Sequence, residues 1–547
     1  MSSDEQQPAS FAAINLFLLS TATFLYKLSR NSGRNRNNGI FESEDGASYR
    51  IGSRGIECLR PALPYLGAFI KCCEDPCHPK TNPSGYIALC VAENKLIQER
   101  LALRLMPENC SGEAFSDTVA YCYSNMLGLP GAREAVARFL TRKFLRSGEN
   151  SEHKMVSDVN NQAQTKVDPQ HVVLSGGAAS IISNILFALC EPGDAVLIPA
   201  PYYNAFENDM KLMAKCVPCP IYTSDPVKGP SPKELDSAAA AVVKRGLCLK
   251  VVLLTNPNNP LGVIYRRGVM LDCVKWARSK GLHTICDEIY ALSCHQKNNA
   301  FESILKILDN DLRDDVHMIW ALSKDFGASG FRAAFLCTQN VGLLNALGNL
   351  NIFTCVSHPI QLVTSDIFND DLFVDSYLEE ARLLTVKSKA ICERKLDQMI
   401  IPYVKSEAGI FIYADFSAIL PQPVTFSDEG RFSEILQNIA HVVSCIQKCI
   451  LNGRLVFSLF PTIMTLKVMT PGSSQRETRP GMFRICYAWV SEEVLEIAME
   501  RISYIVFKIR KLGTRYRWDD ISEKYLSEVT TCGISKSGSL HALSAIQ

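Results

Sequence analysis

The sequence predicts an α/β protein: a large domain with a mostly parallel sheet flanked by helices, and a smaller α+β domain. Six short apolar runs, at 171–174, 195–198, 250–254, 283–286, 317–321 and 333–336, alternate with helical stretches such as 179–189 and 269–280. That alternation belongs to a sheet of parallel type covered by helices. Beyond it lies a second block, with an apolar strand in Gly409-Ile-Phe-Ile-Tyr-Ala-Asp415 and an amphipathic helix at 491–511. A length of 547 residues, 47% hydrophobic and 21% charged, is enough for two cores.

Taken in order along the chain, the N-terminus comes first. Residues 11–26 are apolar but interrupted by Asn15, Ser20, Thr21 and Thr23, and fall short of the roughly 20 residues that a spanning helix needs. The leader is acidic at Asp4 and Glu5, against a secretory signal, and Arg30, Arg34 and Arg36 follow in an Asn/Gly-rich stretch. Residues 1–60 therefore read as a disordered extension or a weak anchor, and the expected location is the cytoplasm. Residues 82–120 are expected to start the small domain, 121–396 to form the large one and 397–510 to complete the small one; 515–547 is a tail. The polar stretch 146–166 reads as an exposed loop.

Lysine plus arginine number 57 against 56 acidic residues, a net charge of +1, so charge favours neither nucleic acid nor an anionic membrane as partner. The 21 cysteines are scattered, and Cys90, Cys190, Cys286, Cys337 and Cys486 fall inside expected strands and helices, as reduced buried thiols do. Cys216-Val-Pro-Cys219 has neither a second pair nor a histidine cluster beside it and reads as structural, with no metal site.

Chemistry concentrates at the strand ends. In Trp320-Ala-Leu-Ser-Lys-Asp-Phe-Gly-Ala-Ser-Gly-Phe-Arg332 a lysine precedes an arginine by eight residues across small residues and two glycines. The spacing suggests a Schiff-base Lys324 beside a phosphate-gripping Arg332, and so pyridoxal 5'-phosphate. Asp287 closes the run 283–286, where a carboxylate can pair with a protonated pyridine nitrogen, and Tyr290 stands three residues on, within reach of the ring's phenolate oxygen. Leu253-Leu-Thr-Asn-Pro-Asn-Asn-Pro-Leu-Gly262 runs into a doubled Asn-Pro turn, where Asn259 offers a second donor to the same oxygen and a cis bond to Pro260 suits the turn.

With Val91-Ala-Glu-Asn-Lys95, Ile198-Pro-Ala-Pro-Tyr-Tyr-Asn-Ala-Phe206, Asn256-Pro-Asn-Asn-Pro-Leu-Gly262, Ser323-Lys-Asp-Phe-Gly327 and Phe483-Arg-Ile-Cys-Tyr-Ala488, the chain resembles class I/II aminotransferases of fold type I. It is more similar to their 1-aminocyclopropane-1-carboxylate synthase-like branch, over roughly residues 82–510. The resemblance implies a homodimer acting on an α-amino acid as its small-molecule substrate, with a small domain that closes on the substrate. Lys324 then carries the cofactor and moves the α-proton, Arg332 holds its phosphate, Tyr203 stacks on its ring with Tyr202 as rival, Arg484 binds the substrate carboxylate, and Glu93 matches a glutamate close to the substrate. In Gly176-Gly-Ala-Ala-Ser180 a helix opens after a strand, so the N–H groups of Ala178 and Ala179 can share the phosphate.

Three positions depart from the family pattern: Met126 replaces a tyrosine that reaches the partner's cofactor, Ala179 a threonine at the phosphate, and Ala321 a serine. Each lost hydrogen bond to a charged group is worth about 1.5–3 kcal/mol unless Ser180, Ser323 or water replaces it. The expected activity is transamination or a related α,β-elimination. The alternatives are 1-aminocyclopropane-1-carboxylate synthesis from S-adenosylmethionine, and a catalytically weak cofactor-binding regulatory protein. Residues 459–470 separate Leu455-Val-Phe-Ser458 from Pro471-Gly-Ser-Ser474, and joining the two ends restores the family's Val-Phe-Ser-Pro-Gly, so 459–470 reads as an insertion.

Overall fold

The computed structural model describes residues 69, 72–106, 112–146, 166–298, 300–438, 440, 442–443, 470–513 and 516–518, and a hairpin pairing Ile40–Glu42 with Ser48–Arg50. The rest of the extension 1–60, the loop 147–165, the insertion up to residue 469 and the tail from 519 lie outside the described residues.

Among the described residues the larger sheet has seven strands: β1 (Val172–Ser175), β2 (Ala195–Pro199), β3 (Val217–Ile221), β4 (Leu249–Thr255), β5 (His283–Asp287), β6 (Val316–Ala321) and β7 (Ala334–Thr338). Their order is β1-β7-β6-β5-β4-β2-β3, with β7 antiparallel to both neighbours and the other pairings parallel. Six strands match the apolar runs. The seventh, β3, was not expected, because Pro218 and Pro220 break the apolar pattern. It lies at the sheet edge, where Val217 N–H bonds the Asp194 carbonyl at 2.8 Å. Alternation along the strand then turns both prolines, which lack N–H donors, to the free side.

The smaller sheet is antiparallel: β8 (Tyr403–Val404), β9 (Phe411–Asp415), β11 (Met482–Cys486) and β10 (Thr470–Pro471), in that order. The helix Glu492–Lys511 covers it, burying Leu495, Met499, Ile502, Ile505 and Ile509 at helical spacing. Ser491 caps the helix by accepting from Val494 N–H, with acids in its first turn and Lys508, Arg510 and Lys511 in its last. The 28-residue helix Asp371–Gln398 leads from the large sheet to the small one.

A single extended segment stitches the two together. Ile87–Ala88 pairs in parallel with Val442–Val443, Cys486 N–H donates to the Leu89 carbonyl at 2.8 Å and Lys95 N–H to the Ala488 carbonyl at 2.8 Å. The chain then crosses over: Gln98 Nε2 donates to the Gly327 carbonyl at 3.0 Å, and Ile97, Leu101 and Ala114 enter the core of the large sheet. Residues 90–94 are thereby brought to the C-terminal end of β6, Ala92 and Asn94 beside the turn that follows it and Cys90 beside Arg484, where a parallel sheet gathers ligands.

Candidate active site

Beyond Ala321 at the end of β6 comes a single helical turn, Leu322–Asp325, which carries Lys324. Its ammonium donates to the Ala92 carbonyl at 2.7 Å, so the crossing segment lies directly over the lysine. Burial pushes its pKa below the ordinary lysine value; the Glu93 carboxylate opposes this, while Arg484 and Arg332 push the same way. A lowered pKa makes the neutral amine, the form that can act as base or nucleophile, easier to reach.

Asp287 ends β5, level with Thr255 on β4 and Ile319 on β6. It is buried, and burial raises its carboxyl to about 7 against the lowering effects of Ile289 N–H and Lys324. Its side chain accepts one hydrogen bond, from Ile289 N–H at 3.2 Å. Two neighbouring buried acids are far better served. Glu288 accepts from Ser303 Oγ and Ile304 N–H, both at 2.6 Å, and Asp325 accepts from Trp320, Leu292 and Ser293. A buried carboxylate with so few donors suits a cationic partner brought in from outside.

Arg484, on the central strand β11, is only 1% exposed. Nη1 donates to Asn259 Oδ1 at 2.9 Å, Nη2 to the Cys90 carbonyl at 3.2 Å, and the guanidinium lies 5.4 Å from the centre of the Phe411 ring. Accepting from Arg484 orients the Asn259 amide, whose NH2 then points the other way. Tyr290, also buried, meets Phe411 edge-on with centroids 5.2 Å apart. The Asn259–Pro260 bond is cis, as are Asn256–Pro257 and Ala200–Pro201.

Around Arg332, whose charge reaches Lys324, the structure forms a cup. Gly177, at φ +104, leads into the helix Ala178–Leu189, which has no side-chain cap on its first N–H groups. Such a helix start is suited to an anion. A Cβ on Gly177 would sit 2.2 Å from Arg332 Nη2, so only glycine lets the guanidinium lie this close. Arg332 is exposed, has left-handed φ of 51°, and donates to the Ser329 carbonyl at 3.1 Å and the Gly176 carbonyl at 3.2 Å. Two of its five N–H groups are used in this way, and the remainder suit a phosphate.

Of the two tyrosines, Tyr202 is buried and its hydroxyl donates to Glu207, whereas Tyr203 is partly exposed and near enough to Tyr290 to influence it. Glu93 accepts from the Ser329 hydroxyl and its charge reaches Lys324. Ala179 is exposed at the helix start, Ser180 donates to the Gly176 carbonyl at 3.2 Å, and Ser323 and Ala321 are buried. Met126 lies partly buried, with its carbonyl bonded to Asn351 Nδ2 at 2.6 Å.

Sequence reasoning did not find the carbonyls of Ala92 and Cys90, since any residue supplies a carbonyl. It also passed over Phe411, Asp325 and Asp209. Burial, with help from the Asp287 charge, raises Asp209 to about 7. Among the described residues no group of acids, histidines and cysteines is suited to a metal, and no helix is long and apolar enough to cross a membrane.

The pattern of the family described as aminotransferase class I and II matches residues 113–502. A curated 1-aminocyclopropane-1-carboxylate synthase of Glycine max is 29% identical over 463 residues, 82% of this chain and 86% of the relative. 1-Aminocyclopropane-1-carboxylate synthase 2 of Arabidopsis thaliana is 31% identical over 455 residues, 80% of this chain and 81% of the relative. Among solved structures, the fold is similar to an aromatic aminotransferase from Pyrococcus horikoshii, with TM-score 0.60, 20% identity and coverage of 78% of this chain and 97% of that one. It is likewise similar to an aspartate aminotransferase from Thermus thermophilus with maleate, with TM-score 0.61, 19% identity and coverage of 84% and 100%.

Proposed function

The chain belongs to the class I and II aminotransferases, in their 1-aminocyclopropane-1-carboxylate synthase-like branch, and from that premise we propose that the residues around Lys324 bind pyridoxal 5'-phosphate and rework an α-amino acid by transamination or a related α,β-elimination. The cofactor, when bound, supplies an electron-poor ring that stabilises negative charge at the substrate α-carbon. Lys324 holds it through its amine and then takes and returns the α-proton, for which an amine of lowered pKa is suited near neutral pH. Asp287 keeps a proton on the ring nitrogen, and Tyr290 with the Asn259 NH2 donates to the ring oxygen. Arg332, the N–H groups of Ala178 and Ala179 and the Ser323 hydroxyl hold the phosphate. Tyr203 covers the ring, and Arg484 takes the substrate carboxylate on its fork, with Glu93 at the substrate's other side.

The observation that carries this reading is Asp287: a buried, under-bonded acid one strand from the lysine that influences it. Titrating the purified protein with pyridoxal 5'-phosphate should produce a visible absorbance band that Lys324→Ala abolishes without changing the circular dichroism. A reducible covalent link in that variant would overturn the assignment. A panel of amino acids then tests turnover to oxo acids.

The names of the curated relatives favour a second reading, 1-aminocyclopropane-1-carboxylate synthesis from S-adenosylmethionine. Release of the cyclopropane amino acid as sole product would replace the first reading with this one. A band with no turnover of any substrate would leave the regulatory reading, which the unhydroxylated Ala179 and Ala321 favour.

The working unit we propose is a homodimer. Phe115, Tyr121, Tyr123, Ile352 and Phe353 are exposed, Phe353 to 85%, on segments joined by the His358–Val119 and Asn351–Met126 contacts. Exposed apolar surface of this kind is suited to a partner chain. Gly176 N–H bonds the Thr354 carbonyl at 2.6 Å, so the patch adjoins the phosphate cup. Sedimentation should give twice the 60.6 kDa chain mass. The described cysteines are free thiols, which supports a cytoplasmic location.

A further inference from the structure

Asp325 follows Lys324 in the chain, yet its side chain points away from the site into the core, where it is 2% exposed. Oδ2 accepts from Trp320 Nε1–H at 2.7 Å and Leu292 N–H at 3.0 Å, and Oδ1 accepts from the Ser293 hydroxyl at 2.5 Å. These donors come from two directions. Trp320 belongs to β6, is fully buried, and stacks on Phe139 and Phe335 with centroids 5.1 and 5.6 Å apart. Leu292 and Ser293 belong to the turn after Tyr290, in which Ala291 N–H bonds the Glu288 carbonyl at 2.9 Å and Ser293 N–H the Tyr290 carbonyl at 3.1 Å. The Ser293 carbonyl in turn accepts from Gly409 N–H at 2.9 Å, next to the strand that brings Phe411 under Tyr290 and Arg484.

The helical turn carrying Lys324 has four residues, Leu322–Asp325. A helix that short has no stability of its own, so outside contacts decide where the lysine stands. The Tyr377 hydroxyl bonds the Phe326 carbonyl at 2.7 Å, and Ala328 N–H the Leu322 carbonyl at 3.1 Å; both fix the turn to its own side of the site. Within this turn, Asp325 is the side chain that bonds the turn bearing Asp287 and Tyr290.

Resting on the proposed role of Lys324, we propose that Asp325 is a positioning residue that holds the Lys324 amine in register with Asp287 and Tyr290 by accepting one hydrogen bond from Trp320 on β6 and two from the turn after β5, so that its carboxylate ties the two together. It touches neither substrate nor cofactor. Its part is to keep a base and an acid, carried on separate strand ends, at one distance, where sub-ångström misplacement is costly in rate.

The test uses the full-length chain with Asp325→Ala and Asp325→Asn. In the cofactor-free protein, the rate at which acetic anhydride acylates Lys324 is followed against pH by peptide mass spectrometry. Burial keeps the wild-type lysine below its ordinary value. Asp325→Ala should free the turn, admit water and raise the midpoint by about one unit or more. Asp325→Asn should keep the wild-type midpoint, because its amide oxygen accepts from Trp320 and Leu292 while the Ser293 hydroxyl reverses to accept from the amide NH2. In the cofactor-loaded protein, Asp325→Ala should lower kcat at least about tenfold with KM little changed, a loss confined to the chemical step.

Should Asp325→Ala fail to fold, Trp320→Phe with Ser293→Ala removes two of the three donors and should move the midpoint in the same direction. A wild-type midpoint in Asp325→Ala, or in that double variant, overturns the proposal. So does a shift in Asp325→Asn as large as in Asp325→Ala, since the bonds survive that change. The acylation measurement needs no cofactor, so a wild-type chain that failed to bind pyridoxal phosphate would sink the proposed function and leave this result standing.

Discussion

Asp287→Asn should make the cofactor-free protein less sensitive to rising pH while impairing its chemistry. Burial raises the Asp287 carboxyl from 3.8 to about 7 in the folded chain. A group whose folded pKa is raised adds stability that is fully present below its unfolded value and lost as pH rises through the folded one. Between pH 5 and pH 8 the wild-type protein therefore loses stability over the two units up to about 7, at about 1.4 kcal/mol per unit, close to ~3 kcal/mol in all. The asparagine variant has nothing to ionise there and escapes that loss.

Its amide oxygen still accepts from Ile289 N–H, and the buried NH2 costs about 1–3 kcal/mol at every pH, so that cost cancels when the two pH values are compared. Asp325, raised to about 7, titrates in both proteins and cancels too, whereas Glu288, raised to about 8 in part by the Asp287 charge, relaxes in the variant and adds to the difference. Asp209, which the Asp287 charge helps to raise, relaxes in the variant and adds in the same direction. The assay is urea unfolding of both cofactor-free proteins at pH 5 and pH 8, read as a double difference. A value below about 1 kcal/mol would refute the argument that this acid is held ionised at a cost. With pyridoxal phosphate added at pH 8, the wild type should recover its deficit and the variant should recover less. Exchange of the substrate α-proton by the variant should fall at least about a hundredfold, the scale of losing one preorganised electrostatic partner.

Gly177→Ala combines an unfavourable φ of +104 with a Cβ 2.2 Å from Arg332 Nη2, so cofactor dissociation measured by absorbance should rise about tenfold or more. An unchanged constant would show that Arg332 and the glycine turn do not share the phosphate. Ala179→Thr adds a hydroxyl at an exposed helix start and should tighten cofactor binding at least tenfold, from about 1.5 kcal/mol or more for a bond to a charged group. Ala321→Ser, at a fully buried position, should gain less, and no gain from either change would mean that other groups already serve the phosphate. Deleting 459–470 should leave cofactor binding unchanged and improve solubility or turnover. Lost activity with the absorbance band intact would identify the segment as a working lid.

Local patterns made the fold class and the family legible in the chain. Apolar runs alternating with helical stretches encode a covered parallel sheet, because each strand buried on both faces must be apolar throughout. β3 escaped that logic because its two prolines are tolerated only at a free sheet edge, and no local pattern announces which strand lies at an edge. Lys324 and Arg332 could be singled out because they share one short segment, and Asp287 and Tyr290 because they share another.

What the tertiary structure decided is how those segments meet. Arg484 bonds Asn259 across 225 residues of chain, and the Ala92 carbonyl meets Lys324 across 232. Side-chain identity says nothing about a carbonyl, which every residue carries. Tyr202 and Tyr203 are the same residue type in adjacent positions, and the fold separated them by burying one on Glu207 and leaving the other partly open. Asp325, which in the chain merely follows Lys324 and drew no attention there, faces the core and three donors. Sequence determines which chemical groups exist and which stretches are strand or helix. Their mutual distances, and the burial that sets whether an acid or an amine carries charge, arise only when distant segments pack together.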